Sequence, residues 1–387
     1  MAGRWLEPGT GKVLDASRLL SQLSKKAVVL LGESHTIKDH HLWQTQMLSG
    51  LLAHKSDLAV GFEMFPRKVQ KTLDEWAQGE LSERGFLKKV RWNEVWGYDS
   101  DLYMPLFNIV RQNRLSMIAI NVERKLISRV GREGWKAIPP AERKGLTDPA
   151  PAGEDYRKSL AKVFQQERQH RAPSTPHSKS DTNSKNSEAT SETSLDTVME
   201  SQDFARFVEA QLTWDRAMAE ALWKSRKNSP DTLVAAILGR GHIEHRFGVP
   251  LQLANLGVKD VAVLLPVEVG KACQTTPVGL ADAIFLVDKQ TTPEHKSEKP
   301  KLGVLIEAAE SGIRLIRVVD GSVAKTALLA AGDIIVKAAG VEMKQTTDLI
   351  EIIQRQAPGT WLPLVIRRGD QKLEIIAKFP APTETTP

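Results

Sequence analysis

Ala27-Val28-Val29-Leu30-Leu31-Gly32-Glu33-Ser34-His35 is an unbroken apolar run that ends in a glycine, a carboxylate and an imidazole. Leu233-Val234-Ala235-Ala236-Ile237-Leu238-Gly239-Arg240-Gly241-His242 repeats that arrangement far along the chain. A short apolar run without alternation marks a strand buried on both faces. Open parallel sheets collect ligands at the carboxyl ends of their strands. Two such strands, each ending in Gly-x-x-His, can aim two imidazoles into one crevice.

Outward from this pair, strand and helix patterns alternate from residue 27 to about 265. Val28–Leu31 precedes a helix expected from Lys38 to His54. Leu58-Ala59-Val60-Gly61-Phe62 precedes one expected from about Pro66, since proline suits a first helical turn. Helical patterns then continue to Arg114, and the runs Leu115–Ile120, Thr232–Leu238 and Val261–Leu265 complete the strands. The fold class is α/β, a doubly wound, mostly parallel sheet with a helical cap. Polar residues then gather at the strand ends: Glu33 and His35, Glu63 in Gly61-Phe62-Glu63-Met64-Phe65, Asn121, and His242. Such a cluster can bind a metal or do acid–base work. His40 and His41 are adjacent at a helix start and point about 100° apart, so one of them, His41, is the better placed to face the site.

Composition fits this reading. The chain has 387 residues, 41% hydrophobic and 26% charged, enough for a substantial core and more than one domain. The net charge of +6 comes with acids and bases interleaved, and no nucleic-acid motif accompanies basic stretches such as Arg84–Arg91. A solvated basic face is expected, with no nucleic-acid partner. Cys273 stands alone, which excludes an internal disulfide and a cysteine zinc cluster and leaves an inert thiol. No signal-peptide or membrane-helix run is present, so the chain as written is expected to be cytosolic or supplied without its leader.

Residues 171–196 are rich in Ser, Thr, Asn and Glu and are expected to be a disordered insertion, with His170 and His177 solvated. Thr291–Pro300 has linker composition. The expected organisation is an α/β domain over 1–290, a linker at 291–300, a β-rich domain over 301–380 and a disordered tail at 381–387. In the β-rich part the strands expected are Gly303–Glu307, Arg314–Val319, Asp333–Val336, Trp361–Arg367 and Leu373–Phe379, with one helix at Thr347–Arg355.

Lys301-Leu302-Gly303-Val304, Val318-Val319-Asp320-Gly321-Ser322-Val323-Ala324 and Ala331-Gly332-Asp333-Ile334-Ile335 together resemble a bacterial PDZ domain over residues 300–380. The resemblance implies that Leu302, Gly303 and Val304 present backbone N–H groups to the carboxylate of a protein C-terminus, which adds as a strand. Use of the fold for packing or homodimer formation is the alternative.

The N-terminal part resembles the ChaN family of haem-uptake proteins, within the wider Tiki group. The landmarks run in order: Gly32-Glu33-Ser34-His35 through His40-His41 and Gln44, then Glu63-Met64-Phe65. Trp96-Gly97-Tyr98-Asp99 with Tyr103-x-Pro105-Leu106, then Ala119-Ile120-Asn121, follow. Gln211-x-x-Trp214-Asp215-Arg216-x-Met218-Ala219 and Gly241-His242 through Pro250 complete them. The resemblance implies two functions. Haem or iron binding would need an axial histidine or tyrosinate, with His35, His41, His242, Tyr98 and Tyr103 as the donors for haem or metal and Glu63 beside them; Trp96 and Trp214 could line a slot. A metal-dependent hydrolase of the Tiki or erythromycin-esterase kind would use Glu33, His35, Glu63 and His242, with a divalent metal or a histidine base. An α/β domain that has lost its chemistry beside a PDZ scaffold is the third reading. ChaN proteins commonly carry a lipoprotein leader that this sequence lacks, so the resemblance points to the periplasm or envelope while the chain as written does not.

Overall fold

The computed structural model describes residues 2–171, 195–272, 276–288 and 300–381. The expected insertion lies outside them except at its edges, where helices Glu154–Arg171 and Leu195–Glu200 run up to it. Nearly all of the expected linker and tail, His177, Cys273 and the side chain of His170 also lie outside the described residues. The chain divides into two compact units, Met1–Gln290 and Thr291–Pro387.

The first unit is built on strands β1 (Trp5–Leu6), β2 (Val13–Leu14), β3 (Val28–Glu33), β4 (Leu58–Pro66), β5 (Ser116–Asn121), β6 (Leu233–Gly239), β7 (Val261–Glu268) and β8 (Ala283–Val287). They form one sheet in the order β2-β1-β8-β7-β3-β6-β4-β5. The six strands from β8 to β5 pair in parallel. β1 and β2 add an antiparallel edge. β6 enters between β3 and β4, and the chain then crosses β3 to place β7 on its far side. This reversal of direction is the switch point at which open α/β sheets form crevices.

Continuous apolar strands need cover on both faces, and they have it. Val29, Leu31, Val60 and Phe62 pack with Trp43, Leu51, Trp76 and Phe107 on one face. Val28, Leu30, Val234 and Ala236 pack with Met218, Leu222, Ile243 and Leu253 on the other. Three differences from the sequence reading have local causes. β1 and β2 are two residues each, too short to leave a pattern. Between β7 and β8 the described residues hold a single helix, the four-residue Val269–Ala272, too short to leave a helical pattern that would announce β8. β4 continues through Pro66, and the helix starts only at Gln70 after the tight turn Arg67–Val69. Pro66, at φ −71° and ψ 147°, is extended and precedes the turn instead of opening the helix. The pairing of β4 with β5 shifts register between Phe62 and Pro66. Such irregularities redirect side chains, and Glu63 lies within this one.

The second unit holds β9 (Val304–Ala309), β10 (Gly312–Val318), β11 (Ile334–Ala338), β12 (Val341–Glu342), β13 (Trp361–Arg368) and β14 (Gln371–Lys378), all antiparallel. Its order β14-β13-β11-β10-β9 leaves β9 at an edge. Helix Thr346–Gln354 begins with a reciprocal cap between Gln345 and Asp348. Leu349 and Ile353 on that helix join Leu302, Ile313, Leu315 and Leu364 in the core.

Candidate functional site

β3 and β6 pair with Gly32 opposite Leu238 and Glu33 opposite Gly239, so the two motifs end level with one another. The glycines are required by close approach. A Cβ on Gly32 would come within 2.4 Å of Leu265 and 2.8 Å of Ile243. One on Gly239 would meet the His35 ring at 2.9 Å. Real Cβ contacts are never so short, so larger residues would displace the neighbouring strand or the imidazole.

Each histidine is held by a buried carboxylate. His35 Nδ1 donates to Glu33 Oε1 at 2.5 Å. His242 Nδ1 donates to Asp215 Oδ1 at 2.6 Å, while its Nε2 lies 3.5 Å from Glu63 Oε1. The other Glu63 oxygen accepts the Gly239 N–H at 2.5 Å, and Asn121 Nδ2 donates to the Glu63 carbonyl at 2.8 Å. Asp215 also accepts the Tyr156 hydroxyl at 2.7 Å. The chain Tyr156–Asp215–His242–Glu63–Gly239 therefore fixes β4, β6 and helix Gln202–Asn228 around one imidazole.

The charges follow from this pairing. Burial lowers the pKa of His242, but the Glu63 charge, the Asp215 hydrogen bond and charge, and the Glu33 charge together push it up to about 9. Near neutral pH it is an imidazolium with a carboxylate facing each nitrogen. Burial also works against protonated His35, yet the hydrogen bond and charge of Glu33, helped by Glu63, raise it above the ordinary histidine value despite His242. Burial dominates at His41 and lowers it. Burial and the nearby Glu33 raise the Tyr103 hydroxyl.

An open pocket lies over the cluster, lined by Glu33, His35, Tyr98, Gly239, Gly241 and His242 among others. His35 and Tyr98 are its accessible donors: the His35 side chain is 27% exposed, Tyr98 is 36% exposed, and their rings lie 5.0 Å apart. His41 is wholly buried, with Nε2 3.2 Å from the His35 carbonyl and 3.9 Å from Glu33 Oε2. Tyr103 is also wholly buried, its ring 4.3 Å from that of His41, and it does not line the pocket. Trp96 packs edge-on to His35 at 4.8 Å, and Trp214 edge-on to His242 at 5.0 Å. Among the described residues, no group of three or more His, Cys, Asp or Glu side chains is arranged to hold a metal ion. The carboxylates are turned to the histidines and to a backbone N–H instead.

Asp215 escaped the sequence reading as a site residue, as did the role of Tyr156 in holding it. Asp215 stands in a landmark segment, but nothing local separates a buried mid-helix carboxylate from an exposed one. Its placement depends on Gly248, at φ 57°, where a Cβ would come within 3.0 Å of the Asp215 carboxylate and 2.5 Å of the His242 carbonyl.

In the second unit, Gly303 adopts φ 81° immediately before β9, and a Cβ there would fall 2.2 Å from Ser322. The carbonyls of Leu302 and Gly303 are tied to Ala324 and Val319 N–H groups at 2.8 and 2.9 Å. Among the described residues the N–H groups of Leu302 and Gly303 donate to no backbone carbonyl. A turn with unused donors thus opens onto an edge strand.

The chain thus combines a doubly wound α/β unit, with a polar cluster at its strand ends, and a small antiparallel β unit. The model for the family described as haem-binding uptake, Tiki superfamily, ChaN, matches residues 19–253, and the chain belongs to that family. The PDZ model matches residues 300–378, and the second unit is a PDZ domain. The solved structure of ChaN of Campylobacter jejuni, which shows cofacial haem binding, superposes with a TM-score of 0.53 at 18% identity, covering 73% of this chain and 95% of that one. Among curated proteins, RETICULATA-RELATED 5 of the Arabidopsis thaliana chloroplast is 24% identical over 151 residues, 36% of this chain and 20% of that protein. HhoB of Synechocystis, named as a serine protease, is 38% identical over 93 residues, 24% of this chain and 22% of its own. The chain therefore spans about a fifth of the length of these curated relatives.

Proposed function

We propose that the α/β unit binds haem in the strand-end pocket, with His35 as axial donor and Tyr98 beside it, in a haem- or iron-acquisition role. One observation carries the reading: Glu33 accepts a hydrogen bond from His35 Nδ1–H, while Nε2 has no hydrogen-bond partner among the described residues. Metal-bound histidines are characteristically oriented in this way by an acceptor on the other nitrogen. The donor set suits haem better than a bare ion, because it offers one available imidazole and one accessible phenol instead of a ring of free carboxylates. Gly239 and Gly241 leave the floor free of side chains, and a Cβ on Gly241 would meet nothing within 4 Å. A planar macrocycle needs such a floor. Haem bound there would supply an iron centre, and His35 is the residue that would hold it.

A hydrolase that uses the paired Gly-x-x-His cluster, with a divalent metal or with His242 as base, is the second reading. Its geometry is unfavourable, since a base needs an unprotonated nitrogen and His242 is charged near neutral pH, facing a carboxylate on either side. Titration of the full chain with ferric haem tests the first reading. A Soret shift at one equivalent, lost in His35→Ala and kept in His242→Gln, is expected; no shift in the wild type overturns it.

For the PDZ domain, we propose capture of protein C-termini. The support is the Leu302–Gly303 turn beside the edge strand β9, as the carboxylate site and the template for strand addition.

A further inference from the structure

A second cavity of about 260 Å³ lies at the carboxyl ends of β4 and β5. Its walls are apolar and aromatic: Met64, Val95, Ile127 and the two tryptophans Trp96 and Trp214. Those same tryptophans pack against His35 and His242, although neither lines the strand-end pocket. Its rim carries four cations, Lys68, Arg91, Arg124 and Lys125, and two acids, Glu94 and Glu123. The acids are already engaged, Glu123 with Lys68 at 2.5 Å and Glu94 with Arg91. Arg124 and Lys125 have no ion-pair partner among the described residues. They open the helix Arg124–Glu133, whose first turn has no side-chain cap, so its N–H groups add positive potential at the same rim. Within the walls, the Trp214 indole N–H is buried with no acceptor.

We propose that this cavity binds a small planar aromatic carboxylate, seated between Trp96 and Trp214 with its anionic end toward Arg124 and Lys125. The volume falls just below the roughly 300–1,000 Å³ of sites for drug-sized ligands, which limits the occupant to about one or two fused rings. Aromatic walls favour a flat π-system, and the excess of cations over acids at a helix start selects a negative charge. His35, Glu63 and His242 do not line this cavity, so the inference does not rest on haem binding at His35.

The probe is 2-naphthoate, with uncharged 2-naphthamide as control, titrated into the haem-free full chain by calorimetry. Expected results are 2-naphthoate binding at least tenfold tighter than the amide, a loss of at least tenfold in the exposed pair Arg124→Glu/Lys125→Glu, and a loss of several-fold in Trp214→Phe. Circular dichroism on each variant separates lost binding from lost fold, and Arg124→Gln/Lys125→Gln gives an intermediate loss should the reversed charges unfold the unit. Equal affinity for acid and amide, binding unchanged in the charge variants, or no binding at millimolar probe would each overturn the proposal.

Discussion

The imidazole of His35 lies against the α-carbon of Gly239, so close that a β-carbon there would fall 2.9 Å from the ring. The first motif is thus packed on the glycine of the second. The histidine that lines the pocket is positioned by a strand from the far half of the chain.

Gly239→Ala should therefore push the His35 ring off its seat while the strand persists. Overpacking of this kind costs about 1–3 kcal/mol. The expected outcome is a modest drop in the denaturation midpoint with a haem affinity at least tenfold weaker. An alanine variant that binds haem like the wild type would show that the ring position is not what matters.

Asp215→Asn keeps the shape but removes one of the two negative charges held against His242. Its pKa, pushed up to about 9 in the wild type, should fall by about 1–3 units, the usual range for loss of an adjacent charge. An NMR titration of the imidazole Cε1 proton measures this directly. Tyr156→Phe should move it less, because the hydroxyl acts on Asp215 rather than on the ring.

The same histidine gives a signed pH dependence of stability. Its folded pKa, about 9, exceeds the unfolded value near 6.5. The folded state then holds the extra proton, and the stabilisation is complete below about pH 6.5 and lost as pH rises through 9. The loss is on the order of 3 kcal/mol, from the 1.36 kcal/mol carried by each unit. Urea midpoints at pH 6, 8 and 9.5 should fall for the wild type and fall less for His242→Gln. Parallel curves would exclude His242 as the source.

In the PDZ domain, Gly303→Ala combines a left-handed φ of 81° with a 2.2 Å clash against Ser322. The turn should open and lose its carboxylate site. A fluorescent peptide ending in free valine should bind the wild type, bind its amidated form at least tenfold more weakly, and fail to bind the variant. Anisotropy reads all three. Retained binding in the variant would remove the turn from the recognition scheme.

Much of this organisation was legible in the residues, and the limits have physical causes. Apolar runs such as Val28–Leu31 and Leu233–Leu238 announce buried parallel strands, because only a sheet covered on both faces tolerates them. The site carboxylates at strand ends, Glu33 and Glu63, follow from the same logic. Asp215 and Tyr156 do not, since a helix reaches the site by tertiary packing that its own pattern does not encode. Tyr103 illustrates the converse. Its landmark segment is near the site, but the ring turns inward against His41 and Phe107. Strand order was equally hidden, as hydrogen-bond pairing carries no local signature.

That order has a consequence for how the protein comes into being. β6 occupies the slot between β3 and β4, strands made some 170 residues or more earlier in synthesis. Until residue 239 leaves the ribosome, both older strands lack their shared neighbour and expose pairing edges that promote misassembly. Glu63 has no Gly239 N–H to accept, and His35 has no backbone to lie against. The pocket is therefore absent from every shorter nascent chain, and any ligand it holds is acquired only by a chain whose sheet has already closed.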